Sequence, residues 1–158
     1  MAPKPGESVL EIGGGTGVSA GLLLDRLGSG YLGLDRSPTA TAAAADRHAD
    51  AVAAGRAAFR RGAVESADLP TAAFDAILAV NVNLFWTSDP SSVLERMRAW
   101  LRPGGRVALV WEPPGTSRAD QIAELVPVVL ESAGYAVTLR RGTTATGAPL
   151  LGVLGRLD

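Results

Sequence analysis

Short apolar runs alternate with longer stretches of helical period, and this alternation predicts an α/β domain with a mostly parallel sheet. Ser8-Val9-Leu10-Glu11-Ile12 reads as a first strand, ended by four glycines in five residues. Val18 to Leu27 reads as a helix with Leu22, Leu23 and Leu27 on one face and Gly28 just past its end. Tyr31-Leu32-Gly33-Leu34-Asp35 is a second strand. Ser37-Pro38 supplies an N-cap and a first-turn proline for an Ala-rich helix from Thr39 to Ala54, closed by Gly55. Ala57 to Arg60 is a weak third strand and Phe74 to Val80 a strong fourth. A helix from Asp89-Pro90 runs to Trp100-Leu101, and Pro103-Gly104-Gly105 reads as the turn that ends it. Arg106 to Trp111 is apolar for most of its length, as a buried central strand should be. After Pro113-Pro114-Gly115 a helix is expected from about Arg118 to Ser132, with Ser117 as its cap; Pro127 inside it predicts a kink or a late start. Tyr135 to Arg140 and Leu150 to Leu157 are the closing strands. The link between them is shorter than the dozen or so residues of a parallel crossover, so this pair is expected to be antiparallel.

Composition narrows the chemistry. The 158 residues suit one domain spanning 1–158, and 47% hydrophobic with 20% charged residues is enough for a packed core. No run approaches the length of a membrane span, and Met1 to Glu7 has no apolar core of a secretory signal, so a cytoplasmic domain is expected. With no Cys there is no disulfide, thiol nucleophile or thiolate metal site. The single histidine, His48, excludes a His-rich metal site, and no metal is expected. Its place in the middle of the Ala-rich helix marks it as a helix-surface residue. A net charge of −1 argues against broad affinity for nucleic-acid backbone.

The segment Glu11-Ile12-Gly13-Gly14-Gly15-Thr16-Gly17 carries the most information. Glycines let the backbone bend sharply and approach a ligand closely, and the following helix offers free N–H groups. Such a loop can also be no more than a tight connection. It can also be read as a dinucleotide fingerprint, since Gly15-Thr16-Gly17-Val18-Ser19-Ala20 fits G-x-G-x-x-A and Asp35 follows at the expected distance. The register is poor for that motif, because Glu11 occupies the strand end where it places an apolar residue.

In this order of motifs the chain resembles the class I S-adenosylmethionine-dependent methyltransferases. Glu11 with Gly13, Gly15 and Gly17 is similar to their first motif, Gly33-Leu34-Asp35-Arg36-Ser37 to the second, Phe74-Asp75-Ala76-Ile77 to the fourth-strand motif, and Leu101-Arg102-Pro103-Gly104-Gly105 to the turn before strand five. The resemblance implies a three-layer, doubly wound sheet of seven mostly parallel strands with an antiparallel last strand. It also implies S-adenosylmethionine as cofactor and S-adenosylhomocysteine as product. Gly13, Gly14, Gly15, Thr16 and Gly17 would pack against the methionine portion and ribose. Glu11 would face the cationic end, and Asp35 would accept from both ribose hydroxyls. Arg36 would flank the adenine. Relatives often place an Asp after strand three for the adenine amino group, but Ala63 stands there in this chain. The base would then rely on the backbone N–H of Val64, or on Glu65. Asn81 would lie beside the methionine end.

Phe85, Trp86 and Trp111, near the ends of strands four and five, are expected to line the methyl acceptor, whereas Trp100 reads as plain core. Methyl transfer leans on positioning and desolvation, and a base is needed only if the acceptor must lose a proton. Glu112 is the acidic candidate for that base. There is no Asp-Pro-Pro-Tyr signature at strand four, and no Cys for covalent attack on a pyrimidine. These absences leave a small-molecule O-, N- or C-methyltransferase as the leading expectation, with a protein acceptor as the alternative. Few residues precede Val9, so no N-terminal lid helix is expected, and a homodimer covering the rim is one way to close the site. Two other readings stand beside the lead. One is a catalytically silent relative serving in binding or assembly. The other is a nicotinamide-dependent oxidoreductase, which would need a hydride-transfer partner that Tyr31 and Tyr135, at strand starts, do not supply.

Overall fold

The computed structural model describes residues 3–28 and 30–157; Met1 and Ala2, which open the segment read for a signal, lie outside them. One seven-stranded sheet runs through the molecule in the order β3-β2-β1-β4-β5-β7-β6. Its strands are β1 (Val9–Ile12), β2 (Tyr31–Asp35), β3 (Ala57–Arg61), β4 (Phe74–Val80), β5 (Leu101–Trp111), β6 (Ala136–Thr143) and β7 (Pro149–Arg156). β1 to β5 pair in parallel, while β7 is antiparallel to both β5 and β6. The helices are α1 (Val18–Leu27), α2 (Pro38–Arg47), α3 (Ala49–Ala53), α4 (Leu84–Thr87), α5 (Ser91–Trp100) and α6 (Thr116–Ser132).

Strand alternation assigns the two layers. Leu10, Ile12, Ile77, Ala79, Val107, Leu109, Leu151 and Val153 point to one face and pack with Val93, Leu94, Met97 and Trp100 of α5 and Ile122, Val126 and Leu130 of α6. Val9, Ala76, Leu78 and Ala108 point the other way and pack with Ala20, Leu23, Leu24 and Leu27 of α1. The result is the α/β domain that the alternating pattern predicts, in the three-layer form that the resemblance implies.

Several local expectations need correction. Leu22 is not on the buried face of α1; it is 73% exposed, because 20, 23, 24 and 27 form the inward stripe. The Ala-rich helix breaks at His48 into α2 and α3, so His48 is not a helix-surface side chain. Its Nε2 lies 2.7 Å from the Gly17 carbonyl oxygen, and its ring stacks on Phe59. Pro103-Gly104-Gly105 lies inside β5 rather than before it: Phe74 pairs with Leu101 and Ala76 with Arg106, so the intervening residues form a bulge, with Gly104 at φ 72°. α6 begins at Thr116 and runs through Pro127, and Ser117 does not cap it.

The chain reverses its direction of travel across the sheet between β1 and β4. An open α/β sheet has a crevice at such a switch, outside the carboxyl ends of the strands.

Candidate functional site

A cavity of about 580 Å³ lies at that switch. It is lined by the ends of β1 (Ile12, Gly13), β2 (Leu34, Asp35, Arg36) and β4 (Val80, Asn81), with Val64, Glu65 and the segment Val82 to Leu84 closing the sides. Of the expected cofactor residues, Gly13, Asp35, Arg36, Val64, Glu65 and Asn81 thus meet at one slot. Arg36 and Glu65 are exposed on its rim and Val64 is buried in its wall.

The glycine loop is held from two directions. Gly13 and Gly14 donate backbone N–H bonds to the Leu34 carbonyl at 2.8 and 3.3 Å. Gly15 donates its N–H to Asp35 Oδ2 at 2.8 Å, while Asp35 Oδ1 accepts from the Ser37 N–H at 2.8 Å. Gly13 has φ 71°, and a Cβ there would fall 2.7 Å from Val82 Cγ2. No other residue fits that position without displacing the far wall of the slot. Gly17 plays a different part from the one expected. It is buried at the start of α1, where a Cβ would come within 3.1 Å of both Ala44 and His48, so it permits helix contact rather than ligand approach. Gly14 sits above the Tyr31 hydroxyl, and Thr16 is exposed on the loop.

Glu11 departs furthest from expectation. It is 1% exposed and absent from the slot lining. Position 11 shares the α1-facing parity of Val9, whereas Ile12 points to the opposite layer, so its carboxylate lies beneath the loop rather than in front of it. There it accepts hydrogen bonds from the Ser19 hydroxyl and from the Tyr31 hydroxyl, the latter at 2.6 Å. Burial pushes its carboxyl pKa up, against the lowering effect of those two donors. The same burial and the neighbouring Glu11 push the Tyr31 phenol up. Glu11 therefore ties the first turn of α1 to β2 and fixes the loop from behind.

A second cavity, about 330 Å³, shares Asn81 and Asn83 with the slot. Its other lining includes Trp86, Trp111, Glu112, Pro113 and Arg118. Asn81 stands at φ 55°, a left-handed conformation that Asn tolerates better than most residues. Its Oδ1 accepts the Glu112 N–H at 2.9 Å, which fastens the end of β4 to the tip of β5. Trp111 is largely buried and donates its indole N–H to the Val82 carbonyl at 3.2 Å. Phe85 is 1% exposed and meets Trp111 edge-on at 6.4 Å; it belongs to the core, which corrects its expected place on an acceptor wall. Its neighbour Trp86 is half-buried, carries the Arg118 guanidinium 4.8 Å above its ring, and has an indole N–H that is buried without a partner.

Residues 9–105 match the model of a methyltransferase domain family. The chain belongs to this family, the class I S-adenosylmethionine-dependent methyltransferases. A protein-L-isoaspartate O-methyltransferase of Methylorubrum populi is 33% identical over 152 residues, covering 93% of this chain and 66% of that protein. The chain spans about two thirds or less of the length of the curated relatives it matches. Among solved structures, an S-adenosylmethionine-dependent methyltransferase from Aquifex aeolicus superposes with a TM-score of 0.78 at 19% identity, covering 98% of this chain and 84% of that one. The [4+2]-cyclase SpnF superposes with a TM-score of 0.80 at 18% identity, covering 98% and 76%. These likenesses show the fold, and the cyclase shows that the fold alone does not set the reaction.

The methyltransferase slot fits the family cofactor by its own geometry. Its volume is in the range of roughly 300–1,000 Å³ usual for small-molecule sites. The Gly13 position leaves clear the space that any side chain would fill. Asp35 has used one backbone donor per oxygen, which leaves about half of a carboxylate's roughly four acceptor positions for hydroxyl groups. Sequence reasoning missed Asn83, Thr87, Ser88 and Arg118. The first three come to the slot through α4, a four-residue helix too short to register as a period. Arg118 joins the second cavity because α6 starts two residues earlier than its hydrophobic stripe suggests. Among the described residues no cluster of His, Asp and Glu is placed to hold a metal, and no helix is long and apolar enough to cross a membrane.

Proposed function

We propose that the chain transfers a methyl group from S-adenosylmethionine to a small-molecule acceptor. One observation carries this reading above the rest: Asp35, fixed by the Gly15 and Ser37 N–H groups, lines the switch-point slot on the side facing Asn81. The cofactor supplies a methyl already activated as a sulfonium, so the protein's part is to bind, orient and dry the reacting groups. Asp35 would accept from the ribose diol, the Gly13 bend would admit the amino-acid portion, and Arg36 and Val64 would border the base. Glu65 and the Val64 N–H would stand in for the absent Asp at Ala63. Asn81 would fix the rim between slot and second cavity, and Trp86 and Trp111 would wall the acceptor. Glu112 is the base for any acceptor that must lose a proton, since its main chain is held by Asn81 and its side chain is exposed at the tip of β5.

Calorimetric titration with S-adenosylmethionine, S-adenosylhomocysteine and NAD tests the cofactor. Saturable binding of the two sulfur nucleosides and none of NAD is expected; tight NAD binding alone would overturn the reading. A screen with methyl-labelled cofactor against a metabolite extract then tests transfer, with label expected in a compound of low mass.

A further inference from the structure

The second cavity holds two charged side chains of opposite sign, Glu112 and Arg118, and they do not pair with each other. Among the described residues Arg118 forms no ion pair at all; its guanidinium donates to the neutral Gln121 Oε1 at 3.2 Å and lies over the Trp86 ring. A guanidinium held on an aromatic face keeps most of its N–H fork free for an oxyanion. The two charges are also ordered along the cavity. Glu112 is tied through its main chain to Asn81, which also lines the cofactor slot, whereas Arg118 belongs to α6 and to the indole of Trp86. Apart from Asn81 and Asn83, the rest of the lining includes the apolar Trp86, Trp111, Pro113 and Ile122.

We infer that this cavity takes a methyl acceptor with a flat apolar body and an anionic group, carboxylate or phosphate, bound by Arg118 over Trp86. The inference rests on the methyl-transfer reading for one point, the direction in which the acceptor's reacting atom faces. An acceptor whose remote group is cationic is disfavoured, because Arg118 repels it at that end of the cavity. The arrangement aims the neutral or deprotonated nucleophile at Asn81 and Glu112, while the anion lies away from the methyl group. Arg118 is then a specificity-determining residue that plays no part in holding the cofactor.

Three probes that share one ring separate the charge states: phenylacetate, phenylacetamide and phenethylamine. Each is titrated into ¹⁵N-labelled protein saturated with S-adenosylhomocysteine and, in parallel, into protein without it, following the indole N–H signals of Trp86 and Trp111. Phenylacetate is expected to shift the Trp86 signal and to bind about tenfold or more tightly than the other two, the size of one charge-assisted contact. Arg118→Ala should bring phenylacetate to the level of the amide, and Arg118→Lys should keep part of the preference. Phenyl phosphate in place of phenylacetate tells which oxyanion is preferred, and a preference for either supports the site. Equal binding of all three probes, tighter binding of the amine, a preference that survives Arg118→Ala, or no response at Trp86 at the solubility limit would each overturn the inference. Calorimetry with S-adenosylmethionine on both variants is the control, and its affinity should match that of the parent chain. If the parent chain does not bind the cofactor, the methyl-transfer reading fails, while the ranking of probes without S-adenosylhomocysteine still decides the anion site.

Discussion

Two stretches of the rim, both at carboxyl ends of strands, are built in opposite ways. Around the glycine loop almost every polar group already has a partner: Glu11 is buried between Ser19 and Tyr31, and Asp35 holds the loop N–H of Gly15 and the Ser37 N–H. Around the second cavity Asn81 and Trp111 are spent on the main chain, but the charged side chains are not spent on each other: Glu112 and Arg118 are exposed and form no ion pair together, and the Trp86 indole N–H has no acceptor. A site that binds one fixed cofactor gains from groups pre-set by the main chain, because little freedom is lost on binding. A site that selects an acceptor needs free side chains whose charge the ligand completes. The contrast is the one expected if the first stretch holds the cofactor and the second selects the acceptor, as proposed.

The contrast can be broken most sharply at Asp35. Asp35→Ala removes the loop latch and the proposed acceptor for the diol together. It should weaken S-adenosylmethionine by about 3 kcal/mol, roughly a hundredfold, given about 1.5–3 kcal/mol for each bond to a charged group. Calorimetric titration measures this, with circular dichroism to confirm that the fold persists. An affinity unchanged within error would mean that Asp35 serves only the loop.

Next comes Gly13. Gly13→Ala puts a Cβ 2.7 Å from Val82 Cγ2 at a positive φ. It should cost about 2 kcal/mol of stability from strain and overpacking and narrow the slot, seen as a lower melting temperature and weaker cofactor binding. A matched change at Gly15, where a Cβ meets nothing within 4 Å, should cost less, from its φ of 53° alone.

The buried carboxylate gives a smaller effect with a defined sign. Its pKa in the folded chain is raised, so its contribution to stability is full at acid pH, below the unfolded value. That contribution is lost as pH rises through the folded value. Wild type should therefore lose ground to Glu11→Gln as pH climbs above the ordinary carboxylate range. Melting temperatures measured over that climb should diverge in this direction. Parallel curves would show that Glu11 titrates as a free carboxylate.

The smallest change is expected on the unspent side. Trp86→Phe removes an N–H that has no partner to lose, so stability measured in urea should stay within about 1 kcal/mol of the parent. A large loss would show that Trp86 is structural and would weaken its place in an acceptor wall.

The two stretches also differ in how far they could be read in advance. The places of Gly13 and Asp35 at the slot were legible because spacing along one strand–loop–helix unit fixes where they fall, whereas Gly15 meets Asp35 without lining the slot. Asn81 was legible in the same way, as the first residue past a strongly apolar strand. Glu11 was legible as the acidic end of β1 but not as a buried residue; which face a strand residue takes depends on what packs behind it, here Tyr31 and α1. Phe85 and Trp86 are neighbours of similar character, yet one is core and the other lines a cavity. That division arises from the single turn of α4, which no hydrophobic period announces. His48 was misplaced because an Ala-rich segment gives no sign of the break that turns its ring onto Phe59 and Gly17.

The order of the strands and of the longer helices, the antiparallel final pair and the glycine bend with its acidic partner were already contained in the amino-acid order. Each follows from local period, from link length or from the backbone freedom of glycine. The inward burial of Glu11, the bulge at Pro103 to Gly105, and the meeting of Arg118 with Trp86 were decided by tertiary structure. These depend on contacts between segments far apart in the chain, and such contacts form only once the sheet has brought its strand ends to a common edge.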